Sequence, residues 1–184
     1  MDSSSTIQSI RDRYGVIVPD LQKDFKRANI HSVPRIRKIV VNVGLGRFLK
    51  DDNGMREVID GLTAITGQKP VMRRSRKAVS GFKIREGMDV GSSVTLRGQR
   101  MWDFLNRLVH VSMPRVRDFQ GIPVRAVDTH GNIHIGFRDH TIFPEIVPEH
   151  AKIIFGFQVT IVTEGLSGEE GVEFYRRLGF PLEK

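Results

Sequence analysis

Residues 155–162, FGFQVTIV, decide the fold class of this chain: Phe155, Phe157, Val159 and Ile161 alternate with Gly156, Gln158, Thr160 and Val162. A period of two places the first set on one face of a strand and the second on the other, so one face is apolar and the other mixed. Such a strand belongs to a sheet with one packed face and one free face, as antiparallel sheets commonly have. Residues 34–48 alternate in the same manner, with Ile36, Ile39, Val41 and Val43 set among cations and Asn42. They end at Gly44 and Gly46, a strand followed by a turn. Met55, Val58, Ile59, Leu62 and Ile65 recur at helical spacing, and Gly67 stands where a left-handed helix cap belongs. Residues 19–28 predict a short amphipathic helix that opens on Pro19, with Leu21 and Phe25 one turn apart. Val71 and Met72 begin another strand, and residues 90–96 resume strand character beyond an intervening loop. Met101, Phe104, Leu105 and Leu108 form a second helical stripe that stops before Pro114, with Trp102 off its centre. Residues 124–128 and 132–137 flank Thr129, His130 and Gly131 and read as a hairpin. Ser167 and Glu170 make a capping box for a last helix through Val172, Phe174 and Leu178, closed by Gly179 and Pro181. The order predicts an α+β fold: a mainly antiparallel β-sheet with helices packed on one face and a protruding basic loop.

At 184 residues the chain reads as one domain, residues 1–184, with residues 1–18 expected to be a loosely packed N-terminal segment. Hydrophobic content of 39% and charged content of 27% are those of a globular protein. No apolar run approaches the roughly 18 to 20 residues of a membrane-spanning helix, so no membrane partner is expected. The start, MDSSSTIQSIRDRYG, has neither the cationic and apolar regions nor the cleavage site of a secretory signal, and export is not expected. Without cysteine there is no disulfide, thiolate metal site or cysteine nucleophile, and a cytoplasmic setting fits.

Charge is the feature that points to a partner. The chain carries 29 Lys and Arg against 21 Asp and Glu, net +8. Seven of those cations (Lys69, Arg73, Arg74, Arg76, Lys77, Lys83, Arg85) lie in the acid-free run 61–85; without them 22 cations face 21 acids. A local excess of this kind repels itself and is relieved by a polyanion. Ser75, Ser80 and Gly81 interrupt any helical stripe, which argues against an amphipathic membrane-surface helix. Guanidinium forks, hydroxyls, a glycine and Phe82 together suit phosphate oxygens and an exposed base. Arg97, Arg100, Arg107, Arg115 and Arg117, with Asp103 as the lone acid among them, are candidates to extend the patch. From residue 141 onward seven acids face four cations, so the nucleic acid is expected on the first two thirds.

Catalytic motifs are weak by comparison. Gly44 and Gly46 follow a strand, but Leu49 stands where a dinucleotide-binding loop has its third glycine. His130, His134 and His140 lie near Asp128, Asp139 and Glu145, which offers a metal-dependent nucleic-acid enzyme as the competing reading. The turn at Gly131 splits that set, and no standard ligand spacing results. Neither an enzyme nor a cofactor is expected. Asn42, Gln68 and Thr95 are neutral polar residues of the kind that can read the wide minor groove of A-form RNA, but composition alone does not single them out from ordinary surface polar residues.

The run ITGQKPVMRRSRKAVSGFKIREG, followed by VTLRGQRMWDFLNRL and PRVRDFQGI, closely resembles the large-subunit ribosomal protein number five family, the bacterial type that binds 5S rRNA. The resemblance continues through VPRIRKIVVNVGLG and GNIHIGFRDHTIFPEI and spans residues 33–182. It implies a non-catalytic, ribosome-bound and cytoplasmic component of the large subunit, in contact with large-subunit rRNA and neighbouring large-subunit proteins. In that family the 5S rRNA, attached in the central protuberance, is held through an Asn, a Gln and a Thr that fall here on Asn42, Gln68 and Thr95. A protruding loop meets the P-site tRNA and corresponds to Arg73, Arg74, Ser75, Arg76, Lys77, Ser80 and Phe82. An intersubunit bridge to small-subunit protein number thirteen is also implied, on residues 115–121 and 130–142.

Overall fold

The structure is a computed structural model that describes residues 8–49, 51–149 and 151–183. Its strands are β1 (Arg35–Gly44), β2 (Val71–Arg74), β3 (Asp89–Leu96), β4 (Ile133–Phe137) and β5 (Phe157–Glu164), and its helices are α1 (Ile10–Asp24), α2 (Asp52–Thr66), α3 (Gly98–Arg107) and α4 (Gly168–Leu178). The strands form one sheet in the order β2-β3-β1-β5-β4. Every neighbouring pair is antiparallel. The alternation that marked β1 and β5 sets the packed face: Ile39, Val41, Val159 and Ile161 have no exposure. Val58 and Leu62 of α2, Phe104 and Leu105 of α3 and Phe174 of α4 join them in one core. The α+β architecture with helices on one face therefore follows from the period-two strands and the helical stripes.

Several local signals act as their chemistry requires. The Asp51 side chain accepts the Asn53 and Gly54 amides at 3.1 and 3.0 Å to start α2, and Gly67 ends it at φ 66. Ser167 and Glu170 form the capping box of α4, and Gly179 closes it at φ 90.

Two expectations are corrected. The first helix does not open on Pro19; it starts at Ile10, where the Ser9 hydroxyl accepts the Asp12 amide at 3.1 Å. Ile10, Tyr14, Ile17 and Leu21 make the stripe that holds it to the core, while Pro19 stands on the exposed side. Residues 10–18 are thus a packed helix rather than a loose segment; residues 1–7 lie outside the described part. The second correction concerns residues 124–128, which are not a hairpin arm. Pro123 leads into a single tight turn, Val124–Ala126, closed by the Ala126 amide on the Pro123 carbonyl at 2.8 Å. Pairing there is limited to the Val127–Ile133 bridge and the Asp128 amide on the Asn132 carbonyl at 2.8 Å, and β4 takes β5 as its strand partner instead.

The turn at residues 128–131 is built on a carboxylate. One Asp128 oxygen accepts the His130 and Asn132 amides at 2.8 and 2.9 Å, and the other accepts the Asn132 side-chain amide at 2.8 Å. Gly131 adopts φ 75, and a Cβ there would overlap the Leu166 side chain. Burial on its own would raise the Asp128 pKa, but these bonds and the His134 ring outweigh it and hold it at about 2. A folded-state pKa below the ordinary carboxylate value means the stabilisation is complete above about pH 4 and fades as pH falls toward 2. Asp128→Ala is expected to cost about 1 kcal/mol at neutral pH and to flatten the acid limb of stability, as read by urea unfolding across that range.

Candidate nucleic-acid interface

The face of the sheet opposite the helices is polar and open. Ladder register determines which side chains meet on it: Asn42 of β1 lies between Ser93 of β3 and Gln158 of β5, and Val40 lies between Thr95 and Thr160. Asn42 is exposed and Thr95 half-buried; as diagonal neighbours across β1 and β3 they stand roughly 7–8 Å apart. Val71 and Arg73 of the edge strand β2 pair with Ser93 and Gly91 and so share this face. The Arg73 Nε donates to the Ser93 hydroxyl at 2.7 Å. At the other edge His134 sits opposite Thr160, with a ring nitrogen 3.1 Å from its hydroxyl. The result is a band of neutral hydrogen-bonding groups flanked by small residues at Gly44, Gly91 and Gly136.

Gln68 belongs to the approach to this face. It lies three residues before Val71, on the connection that enters β2 at the Thr95 end of β3. The Thr66 hydroxyl donates to the Leu62 carbonyl at 2.6 Å and accepts the Gln68 amide at 3.4 Å, and the Gln68 side chain is half-buried. The structure therefore gathers Asn42 and Thr95 on one face of the sheet, with Gln68 on the connection that leads into its edge strand.

The basic loop is a hairpin that prolongs β2 and β3 beyond the sheet. The Ser75 amide donates to the Met88 carbonyl at 2.8 Å and the Gly87 amide to the Ser75 carbonyl at 3.0 Å. Val79 and Ile84 exchange two further bonds at 2.9 and 3.1 Å. The tip is the turn Ser80–Phe82, followed by Lys83 at φ 55, and it presents Phe82 with 75% of its surface exposed. Its residues do not all serve one end. Arg76, Lys77, Ser80 and Phe82 project with the hairpin; Arg73 and Arg74 stay in β2, Arg73 on Ser93 and Arg74 3.5 Å from Asp89. The Ser75 hydroxyl is spent on the Lys77 carbonyl at 2.6 Å. Among the described residues no carboxylate lies within ion-pair distance of Arg76, Lys77, Lys83 or Arg85.

Elsewhere the charges cancel more than their order along the chain implies. Glu164 meets Arg35 and Arg37, Glu170 meets Arg27, and Glu173 with Asp24 holds Arg177. Each such surface pair contributes at most about 1 kcal/mol, but together they neutralise Glu164, Glu170 and Glu173 of the acidic C-terminal third. Arg107 does not extend the basic patch: it caps the Ile65 carbonyl at 3.0 Å and pairs with Glu145 at 2.8 Å. Arg115 and Arg117 do not join the hairpin either. They line a groove of about 590 Å³ with Gly136 and Arg138, at the β4 edge. That edge is four strand spacings from β2, roughly 19 Å. The groove does bring residues 115–118 together with residues 136–139, 141 and 142.

The histidine cluster disperses. His134 pairs with Asp128 at 3.3 Å, whereas His140 is buried and stacked on Phe155 at 4.0 Å. Among the described residues no group of three His, Asp or Glu side chains is placed to hold a metal ion. Sequence reading set Gln158 and Thr160 on a mixed strand face without joining them to the site, and it passed over Ser93.

Comparison with known proteins narrows the reading. Residues 29–85 match the family described as Ribosomal protein L5, and residues 89–182 match the model for the C-terminus of the same ribosomal family. A large ribosomal subunit protein uL5 from Halothermothrix orenii is 45% identical over 168 residues, covering 91% of this chain and 94% of the relative. Its counterpart from Dehalococcoides mccartyi is 45% identical over 175 residues, with 95% and 98% covered. That from Synechococcus is 44% identical over 176 residues, again with 95% and 98% covered.

Proposed function

The chain belongs to the ribosomal protein L5 family, and from that premise we propose that its open sheet face binds 5S rRNA while its basic hairpin reaches a second RNA, the P-site tRNA. As a member it is a structural, ribosome-bound component of the large subunit and not an enzyme, and its working place is the cytoplasm with the ribosome. The observation that carries the proposal is the register of Asn42 with Ser93 and Gln158. It lays neutral donors and acceptors across a broad shallow surface. A-form RNA offers a wide, shallow minor groove of 2′-hydroxyls and base edges, which short polar side chains can read and which long cations alone cannot. Asn42, Thr95 and Gln68 set the register of the RNA; Arg73, beside them, supplies phosphate attraction.

The hairpin has the other chemistry: unpaired cations for backbone phosphates, and Phe82 at the tip to stack on an exposed base or ribose. Because it projects from the β2 edge, it can touch an RNA that the sheet face does not hold. On the opposite edge, the cationic groove of Arg115, Arg117 and Arg138 is suited to the intersubunit bridge with small-subunit protein number thirteen. Contact with 5S rRNA on one side and this bridge on the other is what a position in the central protuberance requires.

Retention from total RNA tests the main point. Immobilised full-length chain, washed at moderate salt, is expected to keep 5S rRNA in preference to tRNA and to fragments of the larger rRNAs. Equal retention of all RNA classes would mean a sequence-blind cation surface and would contradict the proposal.

A further inference from the structure

On the side of the molecule away from the sheet face, α2 and residues 145–147 and 151–153 line a groove of about 480 Å³. Gly61, Ala64, Val147 and Ile153 give it apolar walls, and Val147 keeps 49% of its surface exposed. A Cβ at Gly61 would come within 3.1 Å of the Phe155 ring, so the helix lies directly on that ring.

The charge along this groove is the reverse of that on the hairpin. Glu57, Asp60 and Glu145 line it against a single cation, Lys152. Glu145 is neutralised by Arg107 at 2.8 Å, but among the described residues no cation lies within ion-pair distance of Glu57 or Asp60. On a chain of net charge +8, this is a place that repels phosphate and attracts cations. His140 closes the floor of the groove with 3% of its surface exposed, its ring stacked on Phe155 at 4.0 Å.

We propose that this groove receives a cationic, extended segment of a neighbouring protein, with its Arg or Lys groups on Glu57 and Asp60 and an apolar side chain between Ala64 and Val147. The inference rests on the chain's place in the large subunit, where a protein neighbour and the RNA can occupy opposite sides of it at once. RNA is the disfavoured occupant, since its phosphates would face unpaired carboxylates.

A photo-crosslinking residue at the exposed Ala64, in the full chain assembled into large subunits, tests this directly. Cosedimentation with the subunit comes first, and its failure would count against the reading of the whole chain rather than against the groove. With cosedimentation established, the expected product is a crosslink to a Lys- and Arg-rich protein segment identified by mass spectrometry. Crosslinks to rRNA alone, to a segment without cations, or to nothing would overturn the proposal. Glu57→Lys with Asp60→Lys is expected to lower the yield about tenfold through like-charge repulsion, and the near-isosteric Glu57→Gln with Asp60→Asn to lower it by a smaller factor, with 5S rRNA retention and thermal midpoint unchanged. An undiminished yield in both pairs would overturn it as well.

Discussion

Phe104→Ala is expected to lower the unfolding free energy by about 3–5 kcal/mol, the range for removing a buried aromatic ring. Phe104 has no solvent exposure and lies against Phe143, with ring centroids 5.7 Å apart at 27°. Phe143 in turn meets Phe157 at 5.7 Å, and Phe157 stacks on Phe137 at 5.0 Å. This row of rings ties α3 to β4 and β5 through the segment that carries residues 140–143, so a cavity at Phe104 cannot close without moving two strands. A domain of this size has about 5–15 kcal/mol of stability in all, and the loss would be a large part of it. Urea unfolding should report it as a lower midpoint with little change in slope, and Phe104→Leu should lose clearly less. A loss below about 1 kcal/mol for the alanine variant would mean that the aromatic row does not hold the layers together.

Asn42→Glu is expected to weaken 5S rRNA binding by about 100-fold or more, with stability changed by less than about 0.5 kcal/mol. Asn42 is exposed at the middle strand of the sheet, with Ser93 and Gln158 as its ladder partners. A carboxylate there removes the amide donor and puts a negative charge under a polyanion, at a point from which the RNA cannot withdraw without leaving the whole face. The packed side of β1, held by Ile39, Val41 and Val43, is untouched. Filter binding at fixed salt, with the thermal midpoint as control, measures both effects. If Asn42→Glu bound as well as the parent chain, the open face would not be the 5S rRNA surface.

The fold was legible where periodicity and capping agreed. The strand at residues 157–164 announced both of its faces, and Gly67 and the Ser167–Glu170 pair marked helix ends that the backbone adopts. It was illegible where a local signal competed with packing. Pro19 reads as a helix start because proline is favoured there, yet Ile10, Tyr14 and Ile17 bury enough surface to carry the helix past it on an exposed side. Val124 and Val127 suggest a strand, but Pro123 and the Asp128 turn use the backbone groups that a ladder would need. At the site, composition showed the cations and not their division. Only strand register shows that Arg73 stays on the sheet with Ser93 while Arg76 and Lys77 leave with the hairpin. Glu57 and Asp60 stood out only once the fold set α2 against residues 145–147 and 151–153.

The central claim is that neutral residues on the sheet hold 5S rRNA while the hairpin cations serve another RNA. Its most direct measurement is the salt dependence of 5S rRNA affinity in matched variants. Each phosphate contact contributes roughly 0.7–0.9 to the slope of log affinity against log salt. Gln68→Ala and Asn42→Ala are expected to weaken binding at every salt concentration with the slope preserved, and Arg76→Ala with Lys77→Ala to leave both affinity and slope near those of the parent. The opposite pattern, a flattened slope and lost binding in the hairpin pair with Gln68→Ala and Asn42→Ala unaffected, would contradict the account.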